Sequence, residues 1–409
     1  MKYVVLLGDG MADWAVESLG GKTPLEFAKI PNMDRIAREG TLGLIDTVPQ
    51  GCKPGSDVAI LSVLGYDPVR CYTGRGPLEA ASMGIELDPG DLAFRCNLVT
   101  LGDGPDPVME DFTAGHITTE EAREIIQDIE RQLGTDRLKF CPGVGYRHLL
   151  VWKGGGPVVE TTPPHDITGQ AIKQYLPKGK GAGEVLDLML KSSDILKNHP
   201  VNRARSDKGK KSATSIWLWG QGGKPAMEPI SKKFNLRGGM ISAVDLLNGL
   251  GIYAGLETLK VTGATGYIDT NYVGKAEKAL EALREKDFVF VHVEAPDEMG
   301  HEGNVEGKVK AIEDFDEKVV GTILSGIGIM GDFRVLVLSD HPTPIEKRTH
   351  VSDPSPFAVL SSNASDNLKN GAAYSEKSAR ESGVVVSPGW QLLEGFIRDW
   401  RRFIEDRRR

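Results

Sequence analysis

Apolar residues form strand-like runs near both ends of the chain. Residues 3–7 are apolar at every position, as in a parallel strand that is buried on both faces. Two further runs, residues 288–293 and 335–338, each follow a segment with apolar residues at helical spacing. The helical positions are Ala276, Ala279, Leu280 and Leu283 before the first run, and Ile312, Phe315, Val319 and Ile323 before the second. This alternation predicts an α/β fold, a parallel sheet with helices on both faces.

The middle of the chain has a different pattern. Short alternating runs such as residues 147–152 are separated by Gly- and Pro-rich clusters, for example residues 154–157 and 178–183. Such a pattern predicts short strands joined by turns. We therefore expect a smaller α+β domain, residues 102–224, inserted into a larger domain made of residues 1–101 and 225–409.

Composition narrows the class of protein. A chain of 409 residues is long enough for two domains, and 26% charged residues is ordinary for a globular protein. We expect a cytoplasmic protein without a membrane span, because no apolar run approaches the ~18 residues that cross a bilayer. The net charge of −8 argues against nucleic acid as a partner. The four cysteines show no metal-ligand spacing, so we expect reduced thiols.

Acidic and histidine side chains follow three of the predicted strands. Because ligands of open α/β sheets gather at the carboxyl ends of strands, we expect these side chains to converge. Carboxylates and imidazoles without a thiolate suit Mn²⁺ or Zn²⁺, and Mg²⁺ less well. Two such cations can clamp the attacking and leaving oxygens in phosphoryl transfer. The side chains are Asp9, Asp297, His301, Asp340, His341 and His350.

Ser56 is the candidate nucleophile. It follows Pro54 and Gly55 at the start of an apolar segment that predicts a helix. A serine in this place is also a common helix N-cap, and the sequence leaves both roles open. The two roles are compatible, because the N-terminus of a helix stabilises an oxyanion or a phosphoserine.

Short motifs over nearly the whole chain carry a family resemblance. They are Gly8-Asp9-Gly10, Lys22-Thr23-Pro24-Leu25, Pro31-Asn32-Met33-Asp34, Pro54-Gly55-Ser56-Asp57, Leu64-Gly65-Tyr66-Asp67-Pro68, Tyr72-Thr73-Gly74-Arg75-Gly76-Pro77, Phe94-Arg95-Cys96-Asn97, Ala114-Gly115-His116-Ile117, Ile216-Trp217-Leu218-Trp219-Gly220-Gln221-Gly222, Gly263-Ala264-Thr265-Gly266, the pair Asp297 and His301, and Asp340-His341. Together they resemble the archaeal-type 2,3-bisphosphoglycerate-independent phosphoglycerate mutases of the alkaline phosphatase superfamily.

The resemblance implies a fold and a set of site residues. The fold is an alkaline-phosphatase-like, mostly parallel sheet flanked by helices, with an inserted domain that closes over the substrate. Ser56 becomes a phosphoserine. One metal ion is assigned to Asp9, Ser56, Asp340 and His341, and the other to Asp297, His301 and His350. Within the inserted domain, the expected substrate-binding residues are His116, Arg147, Asp166 and Arg203.

The implied reaction is the interconversion of 3-phosphoglycerate and 2-phosphoglycerate without added bisphosphoglycerate. Two divalent cations take part, with Mn²⁺ favoured and Zn²⁺, Co²⁺ or Mg²⁺ as alternatives. Residues 294–303 and 340–344 look most like a branch whose members have also been proposed to act as homoserine kinases. A homoserine kinase-like phosphotransferase, a metal-dependent phosphohydrolase and a non-catalytic metal-binding protein therefore remain alternatives. The native metal and the oligomeric state stay open.

Overall fold

The computed structural model describes residues 1–408 and divides the chain into two compact units. The larger unit contains Met1–Tyr72 and the chain from Ala226 onward, and the smaller unit is Thr73–Pro225. Within residues 1–408, every helix is too short or too polar to span a bilayer.

The strands, in chain order, are β1 Lys2–Gly8, β2 Thr41–Ile45, β3 Leu92–Leu101, β4 Met109–Asp111, β5 Leu138–Val144, β6 Arg147–Trp152, β7 Ser215–Gly222, β8 Gly238–Ile241, β9 Glu257–Thr258, β10 Phe288–Val293, β11 Phe333–Leu338, β12 Ser355–Ser361 and β13 Val385–Val386. The α-helices are α1 Pro24–Phe27, α2 Pro31–Glu39, α3 Ser56–Val63, α4 Pro68–Cys71, α5 Arg75–Ser82, α6 Thr119–Leu133, α7 Ala182–Leu196, α8 Pro200–Ser206, α9 Ile230–Phe234, α10 Asp245–Tyr253, α11 Tyr272–Leu283, α12 Ala295–Glu302, α13 Val305–Asp314, α14 Gly321–Ile327, α15 Glu376–Glu381, α16 Leu392–Ile397 and α17 Trp400–Glu405.

The larger unit is built on a sheet with the strand order β13-β2-β12-β11-β1-β10-β8-β9. The central strand β1 runs parallel to both β10 and β11, and β12 runs antiparallel to its two neighbours. The side chains of β1 from Tyr3 to Leu7 are buried, as expected for a parallel strand covered on both faces. The mostly parallel α/β sheet predicted from the sequence is confirmed.

The predicted helical spacing also corresponds to buried helix faces. Ala276, Ala279 and Leu283 are fully buried on α11, which begins after Asn271, whose side chain accepts a hydrogen bond from the backbone of Gly274. The second pattern starts in α13 and continues through a π-helical segment, Phe315–Val320, into α14. Both patterns therefore bury their apolar face in the core of the larger unit.

The smaller unit contains a five-stranded sheet in which β3 pairs with β4, β6 and β7, all antiparallel. Helices α6 and α7 supply apolar side chains to its core. This unit begins at Thr73, whereas the sequence places the start of the insertion at residue 102. The difference arises because β3 is the middle strand of the smaller sheet, paired with β6 and β7, although its apolar sequence resembles that of the larger sheet's strands.

Candidate metal centre

The expected ligands meet at one edge of the larger sheet, because β1, β10 and β11 lie side by side and end together. Asp9 directly follows β1. Asp297 and His301 lie on α12, which begins shortly after β10. Asp340 and His341 follow β11. The convergence predicted from the three strand ends is thus present within the larger unit.

Asp9, Asp340 and His341 form the first group of potential ligands, and all three are fully buried. His341 Nε2 lies 3.5 Å from Asp9 Oδ1 and 3.3 Å from Asp340 Oδ2. The other oxygen of Asp340 is oriented by the backbone N–H of Gly10, which donates to Oδ1 over 3.1 Å. One nitrogen and two carboxylate oxygens therefore face a common point.

The donor atoms of this group fit a divalent cation. Among residues 1–408, Asp9 Oδ1 and Asp340 Oδ2 are buried oxygens without a hydrogen-bond partner. Burial raises the pKa of Asp9 well above its ordinary value, and the neighbouring carboxylates of Asp340, Glu294 and Asp297 raise it further. A cation bound between these oxygens would compensate both the desolvation and the mutual repulsion.

Asp297, His301 and His350 form the second group. His301 Nε2 lies 3.1 Å from Asp297 Oδ2 and 2.9 Å from His350 Nε2, and His350 Nε2 lies 3.4 Å from Asp297 Oδ1. The hydrogen bond to Asp297 raises the pKa of His301 to about 9. Burial acts to raise the pKa of Asp297, but the two histidines outweigh it and hold that pKa well below its usual range.

The two groups are adjacent. The imidazole rings of His341 and His350, one from each group, have centroids 4.2 Å apart. Asp297 also contributes to the repulsion that raises the pKa of Asp9. The arrangement therefore has the form of a two-cation site, with mixed carboxylate and imidazole ligands as the sequence predicts.

Ser56 lies at the first group. Its Oγ is 3.2 Å from His341 Nε2, and its side chain is half-buried. Ser56 is the first residue of α3, whereas Gly55 occupies the N-cap position and provides no side-chain cap. The capping role that the sequence left open for Ser56 is therefore wrong, and its hydroxyl is directed to the ligand group.

His292 and Glu294 belong to the site but were not predicted as site residues. His292 Nε2 lies 2.8 Å from Asp9 Oδ2 and 3.2 Å from Glu294 Oε2, and its Nδ1 lies 3.1 Å from Ser242 Oγ. Of these three residues, His292 alone contacts Asp9 Oδ2, while Asp9 Oδ1 lies towards His341. The available signal was a polar histidine in the otherwise apolar strand β10.

The expected substrate-binding residues all lie in the smaller unit. Arg147, the first residue of β6, is exposed and stacks over Tyr146, with 5.7 Å between its guanidinium carbon and the ring centroid. Asp166 is exposed, and its Oδ1 lies 3.5 Å from Nε2 of His165. His116 occupies an exposed turn with a positive φ of 48°. Arg203, on α8, lines a separate groove of about 820 Å³.

Sequence reasoning missed the basic cluster that surrounds Arg147. Arg95 lies over Trp219 at 4.4 Å and pairs with Glu79 over 3.0 Å. Burial lowers the pKa of Arg95, and the positive charges of Arg75 and Arg147 lower it further, which places these arginines near one another. The signal that could have identified Arg95 is an arginine in the middle of the apolar strand β3.

Comparisons with known proteins identify the family. A family profile described as 2,3-bisphosphoglycerate-independent phosphoglycerate mutase matches residues 37–202. A probable 2,3-bisphosphoglycerate-independent phosphoglycerate mutase from Geobacter sulfurreducens is 55% identical over 96% of this chain and 99% of its own length. The mutase from Methanosarcina barkeri is 52% identical over 96% of this chain and 98% of its own length.

Solved structures agree with this result. A protein from Pyrococcus horikoshii matches with a TM-score of 0.83 and 28% identity, over 98% of this chain and 97% of that one. A cofactor-independent phosphoglycerate mutase from Thermoplasma acidophilum matches with a TM-score of 0.66 and 26% identity, over 97% of this chain and 99% of that one. The chain therefore belongs to the 2,3-bisphosphoglycerate-independent phosphoglycerate mutases, a family of isomerases.

Proposed function

We propose that the protein interconverts 3-phosphoglycerate and 2-phosphoglycerate in the cytoplasm through a phosphoserine at Ser56. The observation that carries this proposal is the position of Ser56 Oγ, 3.2 Å from His341 Nε2, beside two adjacent groups of metal ligands. Its relatives in Geobacter sulfurreducens and Methanosarcina barkeri are named for this activity, and their alignment with this chain covers almost their whole length.

Ser56 acts as the nucleophile in this proposal. Ser56 is the first residue of α3, so the free backbone N–H groups and the positive end of the helix dipole lie at this residue. This field stabilises the anionic form of the hydroxyl and the phosphoserine that it becomes. Ser56 Oγ displaces the glycerate oxygen from the phosphorus of the substrate, so that one P–O bond forms as the other breaks and the serine proton ends on the released glycerate hydroxyl. The other hydroxyl of the bound glycerate then takes the phosphoryl group from Ser56 and returns a proton to Oγ, so that no phosphate donor is consumed.

Two divalent cations, Mn²⁺ for preference, would be held by the two ligand groups. Asp9, Ser56, Asp340 and His341 would hold one, and Asp297, His301 and His350 the other. When bound, such cations supply Lewis-acid stabilisation of the phosphoryl oxygens. The orphaned oxygens Asp9 Oδ1 and Asp340 Oδ2 support this assignment.

The smaller unit would bind the anionic substrate. Arg147 and Asp166 are retained as substrate-binding residues, and Arg95 and Arg75 extend the positive charge beside Arg147. A guanidinium group recognises phosphate and carboxylate through paired N–H donors, which suits both charged groups of phosphoglycerate. His116 and Arg203 remain expectations from the family resemblance.

The test is an enolase-coupled assay with 3-phosphoglycerate on Mn²⁺-loaded protein, without bisphosphoglycerate. Steady formation of 2-phosphoglycerate is expected. Parallel reactions measure phosphorylation of homoserine by ATP and the release of free phosphate from 3-phosphoglycerate. If no 2-phosphoglycerate forms, phosphorylated homoserine would identify a kinase-like enzyme, and free phosphate would identify a phosphohydrolase.

A further inference from the structure

We propose that Thr343 is a positioning residue that joins the two ligand groups through its hydroxyl and fixes the tautomer of His341. This inference rests on the proposed metal site and adds a residue that contacts it without being a ligand. Thr343 follows the Asp340-His341 pair by two residues, and its side chain is fully buried.

The hydroxyl of Thr343 contacts one ligand from each group. Its Oγ1 donates a short hydrogen bond to Asp297 Oδ1, in the second group. The same Oγ1 lies 3.3 Å from Nδ1 of His341, in the first group. A single hydroxyl therefore connects the carboxylate of one cation site to the imidazole of the other.

The chemistry of the three groups sets the direction of both hydrogen bonds. An ionised carboxylate only accepts, so the single proton of the Thr343 hydroxyl must go to Asp297. Oγ1 can then only accept in its 3.3 Å contact with His341 Nδ1, which makes this contact a hydrogen bond when that nitrogen carries the proton. His341 Nε2 is then unprotonated, with its lone pair facing Asp9 Oδ1, Asp340 Oδ2 and Ser56 Oγ.

The backbone of Thr343 is fixed at both polar atoms. Its N–H donates to the carbonyl of Ala12 over 3.2 Å, and its carbonyl accepts from the buried ammonium of Lys308 over 2.8 Å. A hydroxyl held in this way acts as a rigid support for the ligands, because the side chain has little freedom to turn away.

Two glycines leave the space that Thr343 requires. A Cβ on Gly10, whose φ is +58°, would lie 2.6 Å from Thr343 Oγ1 and 2.5 Å from Asp297 Oδ1. A Cβ on Gly300 would lie 2.6 Å from the Thr343 carbonyl oxygen. The strand-end loop after β1 and helix α12 are therefore both shaped to admit the contact between Thr343 and Asp297.

The consequence is a joint effect on both cations. Removing the hydroxyl leaves Asp297 Oδ1 without its donor and leaves the tautomer of His341 unspecified. Loss of an outer partner of a metal ligand typically costs 10–100-fold in metal affinity. We therefore expect Thr343→Val, which replaces the hydroxyl by a methyl group, to weaken both cation sites by about 10–100-fold.

The experiment compares Thr343→Val, Thr343→Ser and Thr41→Val by Mn²⁺ titration against a chelating indicator. Serine retains the hydroxyl, so Thr343→Ser should bind both cations within about threefold of the wild-type protein. Thr41→Val removes a buried hydroxyl of the same unit that accepts from the backbone of Leu368, away from the ligands. It should leave both affinities unchanged. Unchanged Mn²⁺ affinity in Thr343→Val, or weaker binding at only one of the two sites, would refute the proposal that Thr343 supports both sites.

A second measurement does not require the variant to fold. The wild-type protein, labelled with ¹³C,¹⁵N-histidine and freed of metal with EDTA, is examined by NMR, with the ring of His341 assigned through its correlations with the backbone. A proton on Nδ1 alone is expected, and a proton on Nε2, with or without one on Nδ1, would refute the tautomer assignment. Wild-type protein that binds no Mn²⁺ would refute the proposed function instead, so the two failures are distinguishable.

Discussion

Lys308 provides a quantitative test of how the site is supported. Its side chain is fully buried on α13, and its ammonium donates to Asp13 Oδ2 over 2.7 Å, to the Thr343 carbonyl over 2.8 Å and to the Ala12 carbonyl over 3.3 Å. These contacts tie together the segments that follow β1 and β11. Lys308→Met keeps the length of the side chain and removes the charge and all three hydrogen bonds.

The expected loss of stability is large. Breaking a buried ion pair by removing one partner costs about 3–5 kcal/mol, because the other charge stays buried without compensation. Asp13 is 5% exposed, so water cannot replace the lost ammonium. Lys310, two residues along the same helix, has a 57% exposed side chain that pairs with Asp314. Lys310→Met should therefore cost less than about 1 kcal/mol.

The assay is hydrogen exchange followed by mass spectrometry on metal-free protein in native buffer. Because the chain has two units, peptides from β1 and β11 report the larger unit, and peptides from β7 provide an internal reference from the smaller unit. Lys308→Met should lower the opening free energy of β1 and β11 and leave β7 unchanged. A loss below about 1 kcal/mol in β1, or an equal loss in Lys310→Met, would refute the argument.

Three further predictions follow from the site and its surroundings. Ser56→Ala should lower mutase turnover at saturating Mn²⁺ by roughly 10⁴-fold or more while its circular dichroism stays near wild-type, and substantial residual turnover would contradict this. Dialysis against EDTA should abolish mutase activity and Mn²⁺ should restore it; full activity after dialysis would exclude metal dependence. Burial raises the pKa of Glu376 from 4.5 to about 7, so the folded state is stabilised by the protonated carboxyl below pH 4.5 and loses this stabilisation as the pH rises through 7. The free energy of unfolding, measured with urea, should fall by up to about 3 kcal/mol over this range. Glu376→Gln should show a flatter profile, and an identical profile would reject this assignment.

The sequence predicted the larger sheet and the convergence of the candidate metal ligands because both depend on local pattern. An apolar run that ends in a polar residue, as β1 does before Asp9, identifies a strand and the edge where it releases its side chains. The i, i+4 spacing of Asp297 and His301 corresponds to one turn of α12, where their side chains lie 3.1 Å apart. Three such strand ends define one site once the strands are neighbours in the sheet.

Other parts of the site depend on tertiary contacts that no local pattern reports. Thr343 matters because its hydroxyl contacts both Asp297 and His341, and nothing in the residues around it distinguishes it from a loop threonine. Arg95 stands out locally as a charged residue in the apolar strand β3, but its stacking on Trp219 joins two strands that are distant in the chain and cannot be predicted from the residues around it. The start of the smaller unit differs from the predicted residue 102 for the same reason, because strand pairing decides which sheet the apolar strand β3 joins.

In the proposed reaction, Ser56 carries the phosphoryl group during turnover. Mn²⁺-loaded protein is mixed with 3-phosphoglycerate, quenched in acid at successive times, digested, and analysed by mass spectrometry for the peptide that contains Ser56. Phosphate on Ser56 should appear within one turnover and persist at a steady level while 2-phosphoglycerate accumulates. Sustained formation of 2-phosphoglycerate with no phosphate on Ser56 at any time would exclude a phosphoserine intermediate at this residue.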